Sequence, residues 1–451
     1  MSNQNITYSD SSLAESLIQL SEFCLDKSKA LGASASELSI SQGEGMSVSV
    51  RNGETETIEY NRDKSMAVTV YFGNHAGSAN TTDLTEKALS ETIAAACNIA
   101  KYTEEDPYNG LAEKSHLATE FPDLDLYHPW EIEMDQAIEL ASQCEQAALE
   151  FDKRITNSEG GGFSSHQGLD IYANSLGFKG LSSGTRHSYS CSVVASSDNG
   201  MQRDYWYDSC RHPDELMPPE EVGLKAAERT VKRLDARKLE TGNYPVIFEN
   251  GVSASLLSHF VSAIGGTSLY RKASFLLDHK GQQIFPEYVH IHEQPHLMRG
   301  AGSASFDSEG VATQNRDLVK DGILSDYVLS SYSARKLGLE TTGNAGGVRN
   351  LTIDSTVSGG LPELVKQMDR GVIVTELIGY GVNIVTGDYS RGAFGYWVEN
   401  GEIQYPVQEF TVAGNLKNIF LQLQGVADDV NYHRGTLAGS MLIESMTVAG
   451  T

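Results

Sequence analysis

The string His292-Glu293-Gln294-Pro295-His296 matches His-Glu-x-x-His, the spacing with which two imidazoles and a glutamate build a zinc-dependent hydrolase. That chemistry needs a helix, where residues four apart share a face, both imidazoles reach one zinc and the glutamate activates a water. Pro295 stands inside the turn and would remove a helical hydrogen bond at a cost of ~3 kcal/mol. Upstream, Tyr288, His290 and His292 alternate at period two, which belongs to a strand. The string therefore predicts polar residues at a strand end and no zinc ligands. Other templates give less. No nucleophile elbow and no P-loop stand out, and Gly43-Glu44-Gly45 and Gly379-Tyr380-Gly381 lack the third glycine of a dinucleotide fingerprint. Ser331 and Ser333 near Lys336 suggest a Ser-Lys pair, but such residues in a short segment usually cap or solvate a helix end.

The stretch from Arg299 to Asn350 has a less ordinary texture. It opens with small residues, Gly300 to Ser305, turns at Ser308-Glu309-Gly310 and at Lys320-Asp321-Gly322, and closes on Thr341-Thr342-Gly343-Asn344-Ala345-Gly346-Gly347. Glycine at this density lets one backbone approach another, or a bound chain, because no Cβ sets the limit.

Its motifs carry a resemblance. Phe306-Asp307-Ser308-Glu309-Gly310-Val311, Lys320-Asp321-Gly322-Ile323-Leu324, Tyr332-Ser333-Ala334-Arg335-Lys336-Leu337-Gly338 and Thr342-Gly343-Asn344-Ala345-Gly346 resemble the signature of the TldD/PmbA family, bacterial proteins once called modulators of DNA gyrase. The likeness continues through Gly379-Tyr380-Gly381-Val382-Asn383, Thr386-Gly387-Asp388 and Glu399-Asn400-Gly401-Glu402-Ile403 and covers the whole chain. In the catalytic TldD branch a helix carries His-Glu, three residues and His, with a cysteine near the C-terminus as a further metal ligand. The corresponding helix here, Ala254-Ser255-Leu256-Leu257-Ser258-His259, keeps only the last histidine, and Val430 to Leu437 holds no cysteine. A catalytic zinc needs three protein ligands. The chain thus resembles the PmbA (TldE) branch.

The resemblance implies a subunit with no catalytic residues, no metal and no cofactor of its own, paired with a TldD-type subunit that holds the zinc. The pair would cleave unfolded or modified peptides, and this chain would complete the chamber and hold the peptide through exposed backbone. The candidate substrate-binding residues are Arg299, Arg335, Gly343, Asn344, Gly346, Gly347 and Arg349. In isolation the chain could form a homodimer. Two rivals stand beside this reading: a stand-alone metallopeptidase with its own metal at His290, His292, His296 or His259, and a non-enzymatic scaffold or regulator.

Composition bounds these options. With 34 basic against 60 acidic residues the net charge is −26, which argues against a nucleic-acid partner, since binding phosphates requires a concentrated positive field. The five cysteines, Cys24, Cys97, Cys144, Cys191 and Cys210, are widely spaced with no CxxC pair and read as reduced thiols of a cytoplasmic protein. The polar start and the lack of an apolar run of roughly 18 residues predict neither a secretory leader nor a membrane span.

The positioning elements read as an α+β protein. Helical spacing over 11–31 precedes alternation at Met46, Val48 and Val50 and again at Met66, Val68, Val70 and Phe72, with turns at Asn52-Gly53 and Gly73-Asn74. A helix starting near Asp83 runs to about Lys101. After an acidic, Pro-containing linker near 103–129 the pattern returns: a helix over 130–151, punctuated strands, and a helix over about 220–238. Helix, meander, helix occurs twice, in about 11–102 and 130–238, so 1–240 reads as a duplicated N-terminal α+β domain. Residues 241–451 read as a β-rich C-terminal domain, barrel- or sandwich-like, with helices at Ala254–Ile264, Leu361–Met368 and Tyr332–Leu337.

Overall fold

The computed structural model describes residues 11–450. Its first half is α1 (Ser11–Ala30), β1 (Ala35–Arg51), β2 (Glu54–Phe72), β3 (His75–Thr81), α2 (Glu86–Tyr102), α3 (Met134–Phe151), β4 (Ile155–Asn174), β5 (Lys179–Ser197), β6 (Gly200–Cys210) and α4 (Pro219–Lys232). The two meanders do not form separate sheets. β1 pairs antiparallel with β4, and the six strands lie in the order β3-β2-β1-β4-β5-β6. Because side chains alternate across a strand, one face of this sheet carries the apolar set. Leu38, Ile40, Met66, Val68 and Ile171 pack under α1 and α2. Met46, Val48, Phe163, Tyr189 and Val193 pack under α3 and α4. The opposite face, with Glu37, Ser39, Ser41, Asp170 and Tyr172, carries no helix and remains polar.

Local chemistry sets the ends of these helices. Thr85 caps α2, accepting from the Ala88 N–H at 3.4 Å, while Asp83 Oδ1 accepts from the Thr85 N–H at 2.9 Å, so the start lies two residues beyond the expected one. A capping box between Glu133 and Gln136 opens α3. Pro219 occupies the first turn of α4, where its missing N–H costs nothing. This helix ends at Lys232, not near 238 as its periodicity predicts. Asp235 takes φ +60°, and Arg237 exchanges backbone hydrogen bonds with Pro406 and Gln408, which draws the chain into the second half.

That half runs β7 (Gly242–Phe248), α5 (Asn250–Ile264), α6 (Gly266–Tyr270), β8 (Ile291–Glu293), β9 (Arg316–Lys320), β10 (Ile323–Leu324), α7 (Ser331–Leu337), β11 (Leu351–Ile353), α8 (Gly360–Met368), β12 (Gly371–Ile378), β13 (Asp388–Glu399), β14 (Glu402–Asn415), α9 (Leu416–Leu421), β15 (Leu423–Val426), β16 (Thr436–Leu437) and β17 (Met441–Ala449). The order β14-β13-β12-β7-β17 closes on itself through a β14–β17 pairing, a five-stranded barrel that leaves these strands without a bare edge. β15 extends from β17. Val246, Phe248, Val374, Phe410 and Val412 pack with Leu256, Leu257 and Phe260 of α5, whereas Ile247, Ile373 and Val398 pack with Leu364 and Val365 of α8. A second, open sheet of short strands has the order β10-β9-β8-β11-β16.

The five cysteines are free and buried, which pushes their thiols up and leaves them unreactive. Among the described residues no helix is long and apolar enough to cross a membrane.

Candidate functional site

The polar face of the first sheet forms the floor of an open cleft of about 1130 Å³. One wall is Phe121–Tyr127, from the acidic linker, and the other is Ser303–Glu309, from the glycine-rich stretch. The linker is not a loose tether. Its Ala118 N–H donates to Gly310 O at 2.9 Å, the Ala312 N–H donates to His116 O at 3.0 Å, and Phe121, Phe178 and Phe306 meet edge to face or tilted over Tyr172.

Both signs of charge face this cleft. Burial pushes the Glu37 carboxyl up, although Tyr71 and Tyr172 donate hydroxyls to it at 2.6 and 2.7 Å. Asp170 opens into the cleft between close walls, and desolvation raises it too. Asp307, behind the second wall, is pushed up to about 6 by burial, against the N–H groups of Glu309, Val311 and Ala345 that its oxygens accept. Arg186, Arg211 and Arg349 supply the opposite charge. Arg211 holds the carbonyls of Thr185, Gly300 and Ala301, and Arg349 Nε has no protein hydrogen-bond partner. A cleft that presents carboxyl groups and guanidinium groups together suits an extended chain with its backbone amides and mixed side chains.

The sequence-predicted residues divide around this cleft. Arg349 lines it. Arg299 instead pairs with Asp125 at 2.5 Å and Glu215 at 2.6 Å. Arg335 donates to the carbonyls of Tyr108, Gly110 and Leu111, so both arginines pin the linker. Asn344 is buried, donating to both oxygens of Glu293 at 2.8 and 2.9 Å and accepting from Arg316 at 2.5 Å. Gly343 and Gly346 take φ of +71° and +91°, and a Cβ on them would meet Ala312 O at 2.6 Å and Ser308 Oγ at 2.5 Å. Gly347 closes the turn by donating to Asn344 O. The loop 343–347 buttresses the Ser303–Glu309 wall from behind: Ser308 N–H donates to Ala345 O, and Ala345 N–H donates to Asp307. Glu37, Asp170 and Arg211 went unpredicted. Their only sequence signal is a polar residue at each outward step of an alternating strand, and that pattern describes any solvated face.

Two places bear on metal. On α5, His259 is half-buried against Tyr389, its Nε2 has no hydrogen-bond partner, and it joins no group of three potential ligands among the described residues. Burial lowers its pKa. The His-Glu-x-x-His string lies on β8 and the turn after it. Its two histidines do not converge: His292 meets Asp354 at 2.9 Å and His296 meets Thr313 Oγ1 at 3.1 Å. Glu293 points into the protein, 2 % exposed, accepting from Asn344 and from the Arg349 N–H. The neighbour the string omits, His290, stacks on His292 with ring centroids 4.6 Å apart, and these two with Asp354 place one donor atom each within 4.8 Å of the others. The sequence also holds one literal Gly-x-Ser-x-Gly string, Gly180-Leu181-Ser182-Ser183-Gly184; it lies inside β5, with no strand-to-helix turn to expose a nucleophile.

The chain belongs to the PmbA/TldA metallopeptidase family. The models of that family's domain 1, central domain and C-terminal domain match residues 36–100, 127–234 and 241–450. The chain is 50% identical over 416 residues to the metalloprotease PmbA of Escherichia coli O157:H7, covering 92% of each. Among solved structures it resembles a Bacteroides thetaiotaomicron protein described as a modulator of DNA gyrase, with a TM-score of 0.92 at 27% identity over 96% of this chain and 99% of that one. It shares the fold of TldE from Thermococcus kodakarensis, with a TM-score of 0.83 at 20% identity over 96% and 100% of the two chains.

Proposed function

We propose that this chain is the non-catalytic subunit of a two-component peptidase: a TldD-type partner contributes the catalytic zinc, and this chain contributes a peptide-holding cleft. The observation that carries the reading is His259. It lies on the helix that the resemblance equates with the zinc-bearing helix of the family's catalytic branch, and it joins no group of three potential ligands among the described residues. Three protein ligands are the ordinary requirement of a hydrolytic zinc. In the segment 430–437, which the resemblance equates with that branch's second ligand position, His433 is already paired with Asp208 at 3.0 Å. The substrates would be unfolded or modified peptides running along the cleft, with Arg349 and Arg211 near their carbonyls or carboxylates. Reduced, buried thiols accord with the cytoplasm.

The experiment is co-purification with a tagged TldD-type protein, followed by peptide cleavage with each chain alone and with both. Cleavage by the pair only, abolished by a chelator, is the expected result. Cleavage by this chain alone would favour a stand-alone metallopeptidase, a reading for which the cluster at His290, His292 and Asp354 is the one supporting observation. The position of Glu293 weighs against it. In a His-Glu-x-x-His hydrolase the glutamate must face the metal water, and here it lies on the other face of the strand, bonded to Asn344.

A further inference from the structure

The open sheet places four chemistry-bearing side chains together. His290 and His292 are two residues apart and so project to one face of β8. β11 pairs antiparallel with β8, Thr352 opposite His292, and the Asp354 N–H donates to His290 O at 3.1 Å, which brings the Asp354 carboxylate to the same face. On the other flank β9 sets Asp317 opposite His292. Asp354 spans both rings, its Oδ2 2.8 Å from His290 Nδ1 and its Oδ1 2.9 Å from His292 Nε2, while Asp317 Oδ1 lies 2.9 Å from His290 Nε2. Lys320, 3.8 Å from the other oxygen of Asp317, is the cation paired with this group.

Three ring nitrogens thus face carboxylate oxygens, but two neutral imidazoles have only two N–H groups to donate. The third contact needs a positive centre, which is either a second proton on His290 between its two carboxylates or a bound cation that displaces it. A cation held between Asp354 and the rings supplies that centre, with one imidazole lone pair and carboxylate oxygen turned onto the metal and Asp317 orienting the His290 ring from its far nitrogen. Bonds of about 2.0–2.2 Å to nitrogen and oxygen fit a donor group of this size after small movements of side chains that are partly open to solvent.

We propose that His290, His292 and Asp354 form a binding site for a divalent transition-metal ion of the zinc class, with Asp317 as the carboxylate that orients His290. The donor set, two imidazoles and a carboxylate, selects zinc-like ions over magnesium or calcium. The site is separate from the His259 position, and its role is to clip β8 to β11. Hydrolysis is not its role: Glu293, the glutamate of the His-Glu-x-x-His string, projects from the opposite face of β8 and is engaged with Asn344 and Arg349, and Asp317 is occupied in orienting His290. A single bound ion would brace the sheet in front of the loop 343–347, which Glu293 holds from behind.

The test is equilibrium binding of Zn²⁺, and of Co²⁺ read by its visible absorption, to the purified full chain after chelator treatment. Variants His292→Ala and Asp354→Asn are compared, with circular dichroism confirming their folding. We expect stoichiometric binding by the wild type, weakening by about 100-fold or more in each variant, as loss of a direct ligand should exceed the effect of an outer partner. His259→Ala should bind as the wild type does. Absence of stoichiometric binding, or equal binding by Asp354→Asn and the wild type, would overturn the site. Because the readout is metal binding by this chain alone, its failure leaves the two-subunit reading standing, and partner-independent cleavage would sink that reading while leaving the metal site intact.

Discussion

The helix α5 and the strand β8 each present imidazole, and the backbone period decides what each can do. On α5 ligands would have to recur three or four residues apart, and there His259 has no companion. On β8 the period is two, so His290 and His292 meet, and a carboxylate 62 residues beyond His292 completes the group through strand pairing. The same string of letters, His-Glu-x-x-His, is a zinc motif on a helix. On this strand it separates into one histidine facing Asp354, one facing Thr313 and a buried glutamate that holds a loop. The lesson is that a ligand spacing has meaning only with the element that carries it.

The largest expected effect breaks the strand side of this comparison at its buried residue. Glu293 accepts from Asn344 and Arg349 and lies 3.9 Å from Arg316, so Glu293→Ala leaves these donors unpaired and should cost about 3 kcal/mol. Chemical denaturation measures it. A stability equal to the wild type would show that the glutamate is free for chemistry after all.

Gly346→Val probes the loop that Glu293 anchors. At φ +91°, with Ser308 Oγ 2.5 Å from the position a Cβ would take, strain of about 1–3 kcal/mol is expected. The structure thus predicts a lower melting temperature or weaker assembly, with normal turnover in whatever complex forms. Impaired turnover in a fully assembled, fully stable variant would instead put this glycine on the peptide path.

A smaller effect concerns His433, which pairs with Asp208 at 3.0 Å. The hydrogen bond to Asp208 raises His433 against the opposing effect of burial. A raised histidine stabilises fully below its unfolded value of about 6.5, and its contribution fades as pH rises through the higher folded value. The difference in melting temperature between wild type and His433→Gln should therefore shrink between about pH 6 and pH 9. A difference that stays constant across that range would mean the pair is not ionic.

The least effect is expected on catalysis: His292→Ala and His296→Ala should leave cleavage by the reconstituted pair unchanged. Lost cleavage in a folded, assembled variant would restore the motif to the active site.

Much of this architecture was legible because period alone reveals it. Leu17 and Cys24 on α1, Met46 to Val50 on β1 and Met66 to Val70 on β2 announce their elements and their buried face. Pro295 argued against a helix there, and Ile291–Glu293 is a strand. What the sequence hid was partnership at long range. Nothing local says that β1 pairs with β4 and fuses the two repeats into one sheet, or that Asp354 comes to face His290. Arg299 and Arg335 show the same limit: a guanidinium beside a glycine-rich stretch suits a substrate carbonyl, and here both bind the folded linker. A polar residue's partner is set by topology, whereas an apolar residue's burial is set by its neighbours along the chain.

The central claim is that hydrolysis belongs to the pair and not to this chain. Cleavage of an unfolded peptide, measured with this chain alone in added Zn²⁺ and then with a TldD-type subunit, tests it most directly. The account predicts no turnover by this chain even when metal is bound, and chelator-sensitive turnover once the partner is added. Turnover by this chain alone, lost together with its metal, would contradict it.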